Sequence, residues 1–429
     1  MSVLVIRTFL HTSIDSRFPP PDTSLMNDAS FSLKKIALPA FGPSLLYGIS
    51  NGAILPVIAF SARDLDASVA LSSLIVALIG VGSLMSNVPA ALVTARFGER
   101  RALVGAAVFS VFALLLCIFA VHVWMLAAGI LMMGMGASVF TLARQSYLME
   151  AVPLSMRARA MSTLAGSMRI GVFVGPFAGA ALIHLVGLSG AYWVALLAVA
   201  AAGAAALALP ELEPRAPGAT PVARPSLLST ARSHARIYLT VGLGVLLVGA
   251  LRASRQVVIP MWADHLGLDP AAASIVYGLS AAIDMAVFYP AGKVMDQQGR
   301  IWVALPATIL MGIALLAMPF TSSLTTFLLA SLCMGLGNGI GSGIVMTLGA
   351  DAAPRAGRHQ FLGIWRMMSD IGTCGGPIVL AAVTAVFSLA MGIGAIGAMG
   401  ITAAAIFWRW LPPSPPSHRQ QTAQAKQQP

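Results

Sequence analysis

The chain has 429 residues, of which 58% are hydrophobic and only 10% charged. At a mean hydropathy of +0.84 it has too little polar surface to cover a water-soluble globule, so a soluble fold is excluded. A net charge of +11 would suggest a nucleic-acid partner in a soluble protein; in a chain this apolar, the placement of basic residues reports membrane topology instead, and no nucleic-acid partner is expected.

A bilayer-spanning helix needs about 20 apolar residues, so the composition can supply roughly a dozen spans. Ala, Leu, Gly, Val and Met run unbroken for longer than the alternating ten-residue strands of a transmembrane barrel, which excludes that architecture as well. The reading is an all-α polytopic membrane protein, with the lipid bilayer as its first partner.

In chain order, residues 1–31 carry Pro19-Pro20-Pro21 and only a short apolar run before Arg7, too short for a signal-peptide core, and are expected to form a disordered tail. Met26, just before Lys34-Lys35, is an alternative start, which leaves open whether residues 1–25 are translated. Twelve apolar segments follow, each bounded by Pro, Gly or charge: 36–60, 69–94, 102–121, 124–147, 159–184, 188–209, 237–262, 271–294, 302–320, 324–348, 360–386 and 388–410. The domain reading is a six-helix bundle over 32–210, a polar linker over 211–236 with four prolines and four arginines, a second bundle over 237–411, and a tail over 412–429. Of the 26 Lys and Arg residues, 20 lie in the tails, in the loops after segments two, four, six, eight and ten, or at the segment ends bordering them; Arg63 alone falls in a loop on the other side. The positive-inside rule then places both termini in the cytoplasm of a multi-pass plasma membrane protein, the inner membrane in a bacterium.

The two halves repeat at an offset of 201 residues. It superposes Met133-Gly134-Met135-Gly136 on Met334-Gly335-Leu336-Gly337, Glu150 on Asp351, Pro153 on Pro354, Arg157 on Arg358, Gly98 on Gly299, and Ile170-Gly171 with Gly175-Pro176 on Ile371-Gly372 with Gly376-Pro377. So many gap-free matches over about eighty positions indicate a duplicated six-helix unit.

Between segments eight and nine, Gly292-Lys293-Val294-Met295-Asp296-Gln297-Gln298-Gly299-Arg300 resembles the Gly-x-x-x-Asp-Arg-x-Gly-Arg loop of the major facilitator superfamily. The first-half copy, around Arg96-Phe97-Gly98-Glu99-Arg100, departs from it with Ala91 for the glycine and Ala95 for the aspartate. The resemblance covers residues 32 to 411 and implies twelve helices in two pseudo-symmetric six-helix bundles that switch between inward-facing and outward-facing states. It also implies that these loops are gating elements; the bland alternative is a basic turn that only sets topology. The residues allow this: Gly98 and Gly299 free a short turn, Arg96 and Arg100 can reach Glu150, and Asp296 can favour a nearby helix N-terminus.

In segment five, Gly171-Val172-Phe173-Val174-Gly175-Pro176-Phe177-Ala178-Gly179 resembles the signature of the superfamily's drug/proton antiporter branch, with a partial copy at Gly372, Gly376 and Pro377. Close helix packing alone explains the same spacing. Ile130 stands where that branch often carries an arginine.

Charges within the spans are the candidate substrate or proton-coupling residues, because they are costly there and usually turned inward and paired. They are Arg169, Asp284 and Asp370, with Arg252 and Arg255 three apart on one face, Arg366 four before Asp370, and Asn51, which the repeat places on Arg252. The resemblance implies that helices five and eight meet across the two halves, which would pair Arg169 with Asp284; a static structural ion pair is the alternative role. With Arg144, five arginines face two aspartates, which an anionic substrate would complement. Arg144 and Arg366 lie near helix ends and can snorkel. Cys117, Cys333 and Cys374 read as buried packing, and the seven histidines form no metal-like cluster. No metal, no cofactor and no enzymatic constellation is expected. The functional expectation is a monomeric secondary transporter working by alternating access, coupled to protons and exporting a small organic molecule. Uptake or exchange of an organic anion and a transport-inactive membrane sensor or scaffold stand as alternatives.

Overall fold

The computed structural model describes residues 37–152, 157–210, 227–354 and 358–411. The proposed tails over 1–31 and 412–429 and the proline-rich part of the linker lie outside them. Among the described residues, twelve helices are long and apolar enough to cross a bilayer: α1 (Phe41–Asp64), α2 (Val69–Phe97), α3 (Glu99–Ile118), α4 (Val123–Ala151), α5 (Ala160–Val186), α6 (Ser189–Leu207), α7 (Ala235–His265), α8 (Pro270–Gln297), α9 (Ile301–Phe320), α10 (Leu324–Ala352), α11 (Gln360–Val386) and α12 (Leu389–Trp410). At 1.5 Å per residue, even 20 residues span about 30 Å. The even-numbered helices end on what we call the linker face; the odd-numbered ones end on the far face.

α1 to α6 form one bundle and α7 to α12 the other, with equivalent neighbours: α2 on α4 as α8 on α10, α3 on α6 as α9 on α12. The 201-residue offset holds at the level of single atoms. A Cβ on Gly134 would strike the Ile79 carbonyl and one on Gly335 the Ser280 carbonyl; Gly171 lies as close to the Leu45 carbonyl as Gly372 does to that of Leu246. Each of these four partners is shifted by the same 201 positions. The far-face turn after α1 places Asp66 at φ 61°, and its counterpart after α7 places Gly267 at φ 71°. Ser68 caps α2 by accepting from the Leu71 amide, as Asp269 caps α8 by accepting from Ala272.

Several boundaries differ from those expected. The first segment does not end at 60: it breaks at residues 55–57, where Pro56 lacks a backbone donor, and resumes as a helix over Ile58–Asp64, so Arg63 ends a helix rather than sitting in a loop. The third helix begins at Glu99, which draws Arg100 and Arg101 into its first turn. The tenth is two helices, Leu324–Ile340 and Ile344–Ala352, hinged at Gly343 with φ +82°. The repeat explains this: α4 carries Phe140 and Leu142 where α10 has Gly341 and Gly343, and only α4 is continuous. Residues 227–233, expected within the linker, form a short helix.

One apolar core joins the first bundle to the far-face half of the second, running through Ile54, Val57 and Ile58 of α1 to Val257, Val258 and Trp262 of α7. A separate cluster, from Tyr238 and Val245 to Phe361, Trp365 and Phe407, fills the linker-face half of the second bundle. The bundles are therefore sealed together toward the far face. Arg63 and Asp264, which are themselves related by the offset, add an ion pair of 3.4 Å across that seal.

Candidate functional site

The most extensive pairings between the bundles are α5 with α8 and α2 with α11, and α7 makes smaller contacts with α1 and α2. Close packing brings the first two pairs together: Phe177 of α5 lies against Gly278, where a Cβ would come within 2.8 Å of its ring, and Cys374 of α11 lies against Gly80 at 3.1 Å on the same measure. At mid-depth each crossing carries a polar bridge, and the two bridges occupy equivalent positions.

On α5, Arg169 Nη1 donates to Asp284 Oδ1 of α8 at 3.2 Å. Its other nitrogen, Nη2, donates to the Ser342 hydroxyl at the hinge of α10, and its guanidinium lies 4.4 Å above the Phe288 ring. Asp284 also accepts from Asn338 Nδ2 at 2.6 Å and stands 3.7 Å from Arg255 Nη1. Arg252, one turn before Arg255 on α7, donates to the Gly341 carbonyl, which also accepts from the Ile344 amide at 3.2 Å across the hinge. One carboxylate and the broken helix thus gather three guanidinium groups, leaving a formal excess of two positive charges. The side chain of Arg255 is 6% exposed and that of Asp284 15%.

On the second crossing, Asp370 of α11 stands where Arg169 stands on α5, since 169 plus 201 is 370. It accepts from Asn87 Nδ2 of α2 at 3.4 Å, and Asn87 Oδ1 accepts from Ser138 of α4 at 2.7 Å. Arg366 lies one turn earlier on α11 and is exposed; the bonding partner of Asp370 is this amide. Asn51 is half-buried on α1, in the first-bundle position that matches Arg252.

A model of the Major Facilitator Superfamily matches residues 42–358 and 241–429. The chain belongs to this superfamily. It is 24% identical over 321 residues, 74% of this chain and 78% of the other, to the uncharacterized MFS-type transporter YhjO of Bacillus subtilis (strain 168). Its fold is similar to that of a bacterial homologue of the human lysosomal transporter Spinster, solved inward-facing and unoccupied (TM-score 0.71, 15% identity, covering 88% of this chain and 96% of that one). A D-xylose–proton symporter is equally similar (TM-score 0.70, 17% identity, 89% and 98%).

In this superfamily member the two loops expected to gate are built differently. In the second half, Arg300 Nε donates to Asp351 Oδ2 at 2.9 Å, and Nη1 donates to Asp296 Oδ1 at 3.1 Å and the Met295 carbonyl at 2.8 Å. The Asp351 bond holds the Arg300 pKa above its ordinary value, so the guanidinium stays charged throughout the physiological range. Asp296 is thus engaged by Arg300 rather than by a helix end. In the first half, the equivalent of Arg300 is Glu99, facing the equivalent of Asp351, Glu150; like charges cannot form that pair. Glu99 accepts instead from Ser146 at 2.9 Å, Arg100 Nη2 donates to the Leu207 carbonyl at 2.6 Å, and Arg96 lies 5.7 Å from the Phe97 ring. Gly98 and Gly299, at φ 80° and 112°, make the turns. Gly292 has open space where a Cβ would stand, so the Ala91 of the first copy is tolerated sterically.

The small-residue motif lies on α1 in the first bundle: Gly171 and Gly175 touch its backbone at Leu45 and Ile49, and Gly48 and Gly52 reciprocate. Gly372 and Gly376 do the same against Leu246 and Ala250 of α7. Gly179 makes ordinary contact, and Pro176 and Pro377 sit inside their helices. All three cysteines are free thiols, Cys117 and Cys374 buried and Cys333 half-buried.

Sequence reasoning missed Asn87, Ser138, Asn338 and Ser342, uncharged residues whose role depends on which charge faces them. It misplaced Arg144. That residue does not snorkel: it is 8% exposed, folded inside the first bundle, with Nη1 on the Met168 sulfur at 3.6 Å.

Proposed function

We propose that this secondary transporter exports a small organic solute in exchange for protons, rocking between states that open to either side of a bacterial inner membrane with both termini in the cytoplasm. The observation that carries the coupling is the unequal partnering of two carboxylates at the crossings between the bundles. Asp370, bonded to an amide, can take up a proton without leaving a buried guanidinium unpaired, whereas neutralising Asp284, held by two guanidinium groups and Asn338, strands both cations. Asp370 is therefore the proton carrier and Asp284 the anchor of the cationic cluster. Residues beside Asp370 that bear on its charge are Arg366 and Cys374 on its own helix and Asn87 on α2. Export is favoured by the Gly171 to Gly179 segment, which resembles the antiporter branch. Sealing toward the far face, extracytoplasmic in this orientation, leaves the solute to load from the cytoplasm.

The test is transport by the purified protein in liposomes. A pH gradient should drive solute movement in the wild type, and Asp370→Asn should abolish that drive while leaving solute-for-solute exchange intact. Undiminished pH-driven flux in Asp370→Asn overturns the assignment. A second reading, exchange of an organic anion, is favoured by the two-charge excess around Asp284.

A further inference from the structure

At the α5–α8 crossing Arg169 and Arg255 pair with Asp284 and Arg252 beside them donates to the Gly341 carbonyl, while Arg366 is exposed. Arg144 is different. It sits on α4, between α1 and α5, one turn beyond the Phe140 ring that stacks on Tyr47 at 4.2 Å. Its Nη1 meets only the uncharged Met168 sulfur, and its Nε is buried with no hydrogen-bond partner. No Asp or Glu lies within ion-pair distance of it among the described residues. An arginine 92% removed from solvent inside a membrane helix, without a counter-charge, is strongly unfavourable, and replacing it with an apolar side chain would relieve the burden. Its retention calls for an anion that the chain itself does not supply.

We propose that Arg144 is the docking point for the carboxylate of the transported solute, which makes the substrate a small organic carboxylate. The Tyr47–Phe140 stack provides an apolar wall beside it for the organic body. The inference rests on the transporter reading above and narrows it to a substrate class. It places recognition in the first bundle, apart from the Asp284 cluster, which already holds its own counter-charge.

The test uses the full-length protein in detergent, with benzoate, salicylate and glutarate as probes, each paired with its neutral amide. At least one carboxylate should raise the apparent Tm saturably while its amide does not. Arg144→Met should weaken that binding about 30-fold or more, the effect of removing one partner of a buried charged pair, and Arg144→Lys should retain part of it. Without ligand, Arg144→Met should match or exceed the wild-type Tm. The proposal is overturned if no carboxylate stabilises the wild type, or if binding is unchanged in Arg144→Met. It is also overturned if Arg144→Met alone loses stability that Arg144→Lys restores, which marks a structural cation. Stabilisation by phosphatidylglycerol but by no carboxylate, lost in Arg144→Met, overturns it in favour of a lipid phosphate. Proteoliposome flux separates the two readings: Arg144-dependent binding without flux sinks transport alone, whereas carboxylate flux unaltered in Arg144→Met sinks this site alone.

Discussion

Asp284→Asn and Asp370→Asn are the same chemical change at the two crossings, yet the structure assigns them opposite consequences. Asp284 receives Asn338 at 2.6 Å and Arg169 at 3.2 Å, with Arg255 at 3.7 Å. Each ionic contact corresponds to a gross attraction of about 5 kcal/mol at an effective dielectric of about 20, much of it offset by desolvation. Removing the charge leaves Arg169, Arg252 and Arg255 facing one another, which for a fully buried group destabilises by about 3–5 kcal/mol. Arg169 is 30% exposed, and water at that edge reduces the loss to about 2–3 kcal/mol. For a chain of this size that lowers the apparent Tm by roughly 2–3 °C. Asp370 loses one long amide hydrogen bond, worth about 1 kcal/mol at most. Thermal scans of the two purified variants beside pH-driven flux should therefore separate them: Asp284→Asn unstable, Asp370→Asn stable but uncoupled. An Asp284→Asn protein as stable as the wild type, or an Asp370→Asn protein that is the less stable of the two, refutes the division of roles.

Three further outcomes follow from the packing. Gly171→Ala and Gly372→Ala each drive a Cβ into a backbone carbonyl of the facing helix and should lower stability by about 1–3 kcal/mol; Gly166→Ala, with open space around it, should be neutral or slightly stabilising in the same thermal scan. Arg63 and Asp264 are 41% and 33% exposed, so their pairing contributes at most about 1 kcal/mol. A disulfide between Arg63→Cys and Asp264→Cys, in a chain whose native cysteines are serine, should nonetheless stop transport until reduced; equal flux before and after reduction would show that the far face need not open there. Gly343→Ala forces a side chain into φ +82° at a penalty of about 1–2 kcal/mol. It should cut flux severalfold by moving Ser342 and the Gly341 carbonyl away from Arg169 and Arg252, whereas unchanged flux would remove the hinge from the mechanism.

The architecture was legible in the sequence because its cause is local. A bilayer demands about 20 apolar residues per crossing and backbone bonds satisfied within the helix, so spans show directly as apolar runs. The 201-residue offset was equally plain, and it extends to details that sequence matching alone would not reveal, such as Asp66 in the turn occupied by Gly267 in the second copy. The glycines of α5 and α11 were recognised as packing residues because their spacing fits one helix face; the carbonyls they touch on α1 and α7 were not.

What sequence could not settle is which polar groups meet. Arg169 and Asp284 are 115 residues apart and Asn87 and Asp370 are 283 apart, and each pairing depends on how two helices are rotated where the bundles cross. Arg366 and Asp370 share a helix face by count, yet Asn87 of another bundle takes the carboxylate. Arg144 near a helix end could extend toward solvent, yet the packing of α1 and α5 folds it inward. The helices and their duplication were thus determined by composition and periodicity along the chain, whereas the partners of each buried charge were decided only by the rotation and approach of helices from the two bundles, contacts that no local pattern encodes.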